Sequence, residues 1–496
     1  MHGITSAHRI LAGARKQAPI DRPEGVQRTL YVLICLATLL FALLTPPFQS
    51  PDESQHYLKA AQLAEGRILA EQRGRDVGAM LPASVVALHE VDFPAEEPGV
   101  PTRFDIGQIK RSWTADSKRS GEAFGFFPNV ANYAPTLYAP QAAGIAVAQK
   151  TGFPRLGGFY LGRMFNLICA LFLLGWAVRV IPVGRFALLA VAALPTTCYQ
   201  AGSLSPDALI NGLGFLGLAL ALRFASEGVS RSRSFGLGLV AMPLALAKGV
   251  YLPLMAAGLR WPEGRRDARP WLLLTAMTLG AVVFMLWMKA SGGSQTLYSI
   301  VSRKTGELTT TAPLADQLRV ILADPAAYAH VLATSMVERA PVYLLQIVGR
   351  FGWNTILLPL AAYPLAAVML AVATLSGAGD RFGFVQRLWW LLVAAGCVLL
   401  VETALYLTGT PLGADYVQGV QGRYFLPILP LALLAFSVAG PVRHARSVLL
   451  FCATLLLGAG LLSALDSFWL HGFVSVDGMP PHHDAVRALL LPSPRW

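Results

Sequence analysis

In the segment PPFQSPDESQHY two adjacent carboxylates stand one helical turn from an imidazole. His56 follows Asp52 at i+4 and Glu53 at i+3, spacings that put all three on one helical face. Pro46, Pro47 and Pro51 brace the segment and end any preceding helix rigidly. Carboxylates so placed suit proton abstraction from a hydroxyl. The plainer role is a charged helix start, where acids are favoured by the helix dipole. Three other polar clusters flank apolar runs. SLSPDALINGL supplies Ser203, Ser205, Asp207 and Asn211, and LALAKGVYLP supplies Lys248. VQGRYFLPILP supplies Gln421, Gly422, Arg423 and Tyr424. Each has a structural alternative: Ser205-Pro206-Asp207 is a good helix N-terminus, Lys248-Gly249 a turn, and Arg423 and Tyr424 membrane-interface anchors. Taken together they suggest one shared site. Arg grips phosphate oxygens bidentately and Lys acts as a point charge. A base beside two such cations fits group transfer from a lipid-phosphate donor. No P-loop, HExxH or GxSxG occurs.

The elements that position these residues are apolar spans. Of 496 residues 54% are hydrophobic and only 14% charged, and the mean hydropathy is +0.52. A soluble chain carries about a quarter charged residues, which excludes a soluble multidomain enzyme and a disordered protein. The net charge of +12 sits in short loops between apolar runs, the pattern of the positive-inside rule, so no nucleic-acid partner is implied. Cys35, Cys169, Cys198, Cys397 and Cys452 all lie in apolar stretches; an odd set with no CxxC pair gives neither a disulfide framework nor a metal site. The chain reads as an all-α polytopic membrane protein.

Spans of roughly 20 residues are expected near 30–44, 159–181, 186–202, 207–224, 271–289, 355–375, 388–407, 424–438 and 448–465. The run 235–259 is better split at Lys248-Gly249. As one span it would carry Arg260, Arg265, Arg266 and Arg269 to the outer side, and a lysine in mid-membrane is costly. The split makes about eleven crossings, with the N-terminus inside and the basic loops cytoplasmic. The divisions are a leader over 1–28, a transmembrane domain over 29–465 and an outer C-terminal tail over 466–496. The transmembrane domain holds outer loops 46–155 and 290–354. Within these loops YAPTLYAPQAAGIAVAQ and residues 313–336 read as helices at the membrane surface. The first span reads as a retained anchor, because no small-residue cleavage site follows it.

In order along the chain, PPFQSPDESQHYLKA, YAPTLYAPQAAGIA, YLGRMFNL, LPTTCYQAGSLSPDALINGL, LALAKGVYLPL, RFGWNTILLP and VQGRYFLPILPL resemble successive blocks of the bacterial domain-of-unknown-function family 2142. That family is grouped with the GT-C superfamily of polyprenyl-phosphate-sugar-dependent glycosyltransferases. The resemblance runs from about Pro46 to Leu431 and implies a GT-C-like bundle with a large first periplasmic loop. It also implies an acidic catalytic base in that loop and a place in the bacterial inner membrane with the site facing the periplasm.

The resulting expectation is an inverting glycosyltransferase. Asp52, or Glu53 in its place, acts as base. His56, Tyr138, Asp207, Lys248, Gln421, Arg423 and Tyr424 bind a polyprenyl-phosphate sugar donor and a glycan or lipid acceptor. Asp52 and Glu53 are also the candidate ligands for Mg²⁺ or Mn²⁺, although two adjacent carboxylates are few for such a site. A lipid-linked sugar flippase is the alternative from another class, but it calls for polar residues through the membrane midplane, and here they gather on one side. An O-antigen polymerase or ligase is a third reading, and a noncatalytic scaffold a fourth.

Overall fold

The computed structural model describes residues 24–74, 76–93, 101–115, 120–259, 269–291, 299–301, 308–310, 312–352, 354–376, 382–437 and 444–474. Most of the leader, the Arg260–Arg269 loop apart from the helix start at Arg269, and tail residues 475–496 lie outside them.

The chain is mostly helical. The first helices are α1 (Glu24–Leu44), α2 (Glu53–Ala64), α3 (Ala83–Ala87), α4 (Ile106–Ala115), α5 (Ala139–Lys150) and α6 (Arg155–Val180). Then come α7 (Arg185–Ala192), α8 (Pro195–Ala201), α9 (Asp207–Glu227), α10 (Arg231–Ala247) and α11 (Arg269–Ala290). The last are α12 (Leu314–Ala323), α13 (Pro325–Gly349), α14 (Ala362–Leu375), α15 (Phe384–Gly409), α16 (Leu429–Ala435) and α17 (Ala445–Leu465). Among the described residues seven helices are long and apolar enough to cross a bilayer: Gly25–Leu44, Arg155–Val180, Asp207–Glu227, Pro270–Ala290, Pro325–Gly349, Phe384–Gly409 and Ala445–Leu470. The chain is thus a multi-pass membrane protein.

Several expected spans are broken, and proline is the common cause. The span expected over 186–202 is α7 and α8, divided before Pro195 at the first position of α8. The one expected over 424–438 is a 3-10 turn, Gly422–Phe425, followed by the short α16, with Pro427 between them and Pro430 inside the first turn. The expectation of an all-α chain holds for the long helices. Short strands, however, pair at Ser299–Val301 with Leu308–Thr310, at Arg350–Phe351 with Ile356–Leu357 and at Pro101–Thr102 with Phe473–Val474, and a larger sheet forms in the loop after α1. There Glu71–Arg73, Asp76–Pro82 and Glu122–Phe126 form an antiparallel sheet, with Ala79 opposite Gly125. Leu58 of α2 packs on that sheet at Gly125.

The bundle is built around α9. Its most apolar window is 89% buried, against 11% for α11, so α9 is the central helix and α11 lies at the edge. Gly212 and Gly214 of α9 face Leu173 and Pro427. α5 is about 18 Å long by its rise per residue, too short to span. It packs instead on the start of α6, where Gly144 lies against the Leu161 carbonyl and leaves no room for a Cβ.

The break at Lys248 is present. α10 ends at Ala247, Lys248 is extended, and a 3-10 helix runs Gly249–Gly258. The chain reverses there. Leu244 and Met255, on either side of the break, both reach Gly217 of α9. Lys248 meets Asp207 and Gly258 meets Ala221, so the 3-10 helix runs parallel to α9 and α10 antiparallel to it.

α13 departs from its expected bounds, beginning at Pro325 and ending at Gly349. It also takes an unusual course. Tyr328 donates to Thr403 Oγ1 at 2.7 Å, while Tyr343 faces Glu402 of the same helix α15. Fifteen residues of helix cover about 22 Å, yet the two tyrosines meet neighbouring residues. α13 therefore crosses α15 steeply instead of running alongside it.

Candidate functional site

The turn between α1 and α2 carries the acidic pair, and the two carboxylates part company there. Phe48 and Asp52 both have positive φ, 66° and 59°. A non-glycine residue in that region is uncommon, and such strain persists only where its surroundings enforce it. The enforcing group is Arg163 of α6, which is fully buried. Its NH1 donates to the carbonyls of Ala42 at 2.9 Å and Thr45 at 2.6 Å, and its NH2 to that of Pro46 at 3.0 Å. The same guanidinium grips Glu53 with both fork nitrogens, Nε to Oε1 at 2.9 Å and NH2 to Oε2 at 2.7 Å. The Leu204 amide adds a third bond to Glu53 Oε1 at 2.8 Å. Both Glu53 oxygens are taken up inside the protein, with no exposed surface. Glu53 is thereby withdrawn as an alternative base, and the Asp52–Glu53 pair as a ligand set for Mg²⁺ or Mn²⁺. Among the described residues no three His, Cys, Asp or Glu side chains gather to hold a metal ion.

Asp52 points the other way. It occupies the N-cap position of α2 but makes no side-chain capping bond. Its Oδ1 accepts from Asn129 Nδ2 at 3.2 Å, and Oδ2 lies 3.9 Å from Arg423 NH2. The side chain keeps 29% exposure, so the carboxylate is held from one side and open on the other.

Facing it is a compact set of charges and rings. Asp207 heads the central helix α9, where Ser205 Oγ accepts from its amide at 3.2 Å. Ser205 thus does the capping, and the Asp207 carboxylate is left for two cations. Lys248 Nζ lies 3.2 Å from Oδ1 and Arg423 Nε lies 3.6 Å from Oδ2. Tyr424 underlies both cations: Lys248 Nζ is 4.3 Å and Arg423 Cζ 5.3 Å from its ring centre. Tyr251 fixes that segment by donating to the Tyr424 carbonyl at 2.8 Å, and Gln346 Oε1 accepts from the Gly422 amide at 2.6 Å. Two acids and two bases balance, and Asp207 serves as the counter-ion that keeps the cations in place.

His56 lies beneath this set, with Nδ1 2.8 Å from the Tyr138 hydroxyl and its ring tilted toward Tyr133. Burial lowers its pKa to about 4; Asp52 and Asp207 oppose the shift, and Arg423 and Lys248 reinforce it. Burial also raises the Tyr138 and Tyr133 phenols. The imidazole is therefore neutral at pH 7. Its folded pKa lies below the unfolded value of about 6.5, so the unfolded chain binds the extra proton first as pH falls. Stability is then lost between about pH 6.5 and pH 4. His56→Gln is expected to flatten that part of a stability–pH curve measured by thermal melting in detergent. An unchanged slope would mean that the loss comes from other groups.

The structure thus brings together Asp52, His56, Tyr138, Asp207, Lys248, Arg423 and Tyr424 from five separate parts of the chain. Gln421 lines a small cavity that Arg423 also borders. Sequence reasoning missed Asn129, Tyr133 and the anchoring pair in α6, Arg163 and Asn166. Asn166 Nδ2 donates to the carbonyls of Ser203 and Ser205 at 2.8 and 3.0 Å, so these two side chains hold both turns of the site. They had a signal: an Arg and an Asn at i and i+3 inside an apolar span are expensive unless they are paired inward. Asn129 and Tyr133 had none, since their place depends on how the loop folds back.

Neither a curated protein nor a solved structure matches the chain. A family model does, over residues 35–432, a stretch that contains every residue of the cluster. The chain belongs to the family described as predicted membrane protein (DUF2142).

Proposed function

We propose that this protein is an inverting glycosyltransferase of the GT-C type. In this reading it takes a sugar from a polyprenyl-phosphate-linked donor on the outer face of the bacterial inner membrane and passes it to a cell-envelope glycan or lipid. The observation that carries the reading is the Asp52 carboxylate. It forgoes the cap its position offers and opens toward a Lys–Arg pair at the end of the first span.

Asp52 accepts the proton of the acceptor hydroxyl. The oxygen attacks the anomeric carbon from the face opposite the phosphate, the carbon–oxygen bond to phosphate breaks, and the configuration inverts. The leaving phosphate displaces Asp207 as the partner of Lys248 and Arg423. Placed cations of this kind act where charge develops in the transition state. Neutral His56 and Tyr138 offer hydrogen bonds to sugar hydroxyls without adding charge.

The proposed topology follows the arginine distribution. The shorter helices pair with six of the seven long ones, α13 excepted, to give about eleven crossings. The steep course of α13 favours an outer-surface helix over a span, and the hairpin at Lys248 keeps the cluster on one side.

Reconstitution in liposomes with radiolabelled polyprenyl-phosphate sugars tests the reading, with label expected in the acceptor fraction. Label that crosses the bilayer without changing its chemical form would point to a flippase and end the proposal. Arg423→Ala or Lys248→Ala is expected to weaken donor binding by about 1.5–3 kcal/mol, the worth of a charge-assisted bond. Unchanged affinity in Arg423→Ala would make that residue a membrane anchor only.

A further inference from the structure

About two turns before the end of the membrane-spanning helix α15 stands Glu402, with no exposed surface. The proposed mechanism makes no use of it. An ionisable side chain at such a depth is costly and calls for a partner. Neither carboxyl oxygen of Glu402 has a hydrogen bond, and neither does the hydroxyl of Tyr343 on α13, which faces it. Arg339 and Tyr328 of α13 lie within electrostatic reach. The Arg339 guanidinium carbon, however, sits 5.6 Å from the centre of the Tyr416 ring, and the Tyr328 hydroxyl donates to Thr403. No ion pair reaches Glu402 among the described residues. α16, which also packs on α15, has no titratable side chain. Glu53 shows what this protein gives a buried carboxylate that keeps its charge: two guanidinium nitrogens and a backbone amide. Glu402 receives none of these, so its charged form is the costly one. A bound proton removes the charge and gives the carboxyl a hydrogen to share with the Tyr343 oxygen.

We propose that Glu402 is a proton site inside the bundle: it is held as a neutral carboxylic acid and, through Tyr343, positions the turn that carries Arg423. The path is short. The Tyr343 ring meets that of Phe425 edge-on, with 5.4 Å between centres. The Tyr343 carbonyl lies so close to Gly422 that a Cβ there would have no room. One turn further along α13, Gln346 Oε1 accepts from the Gly422 amide at 2.6 Å. The Gly422–Phe425 turn is thus seated on the stretch of α13 that Glu402 braces. Glu402 acts through Tyr343, which makes it a positioning residue. Its bearing on phosphate binding at Arg423 rests on the glycosyl-transfer reading; its proton and its brace do not.

Infrared difference spectra of the full chain in detergent at pH 7, wild type against Glu402→Gln, test the protonation. The variant is expected to lose the carbonyl stretch of one protonated carboxyl; loss of a carboxylate band in its place would overturn the proposal. Gln is neutral and close in shape, so Glu402→Gln should melt as the wild type does, and a large fall in its melting temperature would also overturn it. Hydrogen exchange over residues 421–425 tests the brace. Tyr343→Phe, which loses only the hydroxyl, is expected to speed exchange there by about two- to tenfold, the worth of one hydrogen bond. Glu402→Ala should do the same, and Glu402→Gln should keep the wild-type rate. Wild-type exchange in both Tyr343→Phe and Glu402→Ala would overturn the positioning role, and so would equal acceleration in α9, which would mean that the whole bundle had loosened. None of these outcomes bears on whether sugar is transferred, and a protein that transfers no sugar would leave all of them as they are.

Discussion

Asp52→Asn is expected to lower turnover by about 10²–10⁴-fold, the usual worth of a general base, while the protein folds and binds donor as before. Asn is isosteric with Asp and caps helices about as well. The change therefore removes the proton acceptor and little else. The bond from Asn129 can be kept through the amide oxygen, and the 3.9 Å contact with Arg423 is too long to hold the turn together. What holds the turn is Arg163, which does not touch Asp52. The measurement is sugar transfer by purified protein in liposomes, with thermal melting alongside. Full transfer in Asp52→Asn would remove this residue as the base. If Glu53→Gln were then dead while still folded, the role would move to Glu53. Full activity in both would end the proposed mechanism.

Glu53→Gln should act on the fold. It leaves the Arg163 charge fully buried, with three carbonyls but no counter-ion. Removing one partner of a buried pair costs about 3–5 kcal/mol, because the remaining charge has nowhere to go. Arg163→Met should be at least as damaging, since it strands Glu53 and frees the carbonyls that close α1. Thermal melting in detergent reads both, and any protein that stays folded should still turn over. A Glu53→Gln protein that melts like wild type would mean that the pair contributes no net stability. The two carboxylates are neighbours in sequence, yet one change is expected to read out in turnover and the other in melting temperature.

That division was not legible from the chain. Asp52 and Glu53 have equal credentials in PPFQSPDESQHY, and their alignment with His56 at i+4 and i+3 favours neither. The left-handed φ at Asp52 rotates its side chain out of the turn, while Glu53 begins the helix and is drawn onto Arg163, 110 residues further along. The helix start at Ser205-Pro206-Asp207 is where the sequence reading puts it, but its capping residue was open for a similar reason. Ser205 Oγ accepts the Asp207 amide, and a cap preference cannot say which of two suitable residues in Ser205-Pro206-Asp207 takes the bond. Gln200 and Arg350 carried no site signal at all. Each looks like a routine polar residue near a span, and only the tertiary structure sets both on one small cavity.

The membrane class, the helical frame, the break at Lys248 and the grouping of Asp52, His56, Asp207, Lys248, Arg423 and Tyr424 in one candidate site were legible in the chain, while Tyr138 came only with the family resemblance. Those rest on local physics: apolar runs long enough to cross a bilayer, prolines that stop helices, and charges that cannot be left in lipid. The tertiary structure alone decided which carboxylate faces the cations and which is sealed inside. It also set the transverse course of α13 and the small cavity that Arg423 shares with Gln200 and Arg350. These depend on pairings between residues far apart in the chain, and a side chain's partner across the bundle is set by the packing of whole helices around α9, which no local pattern encodes.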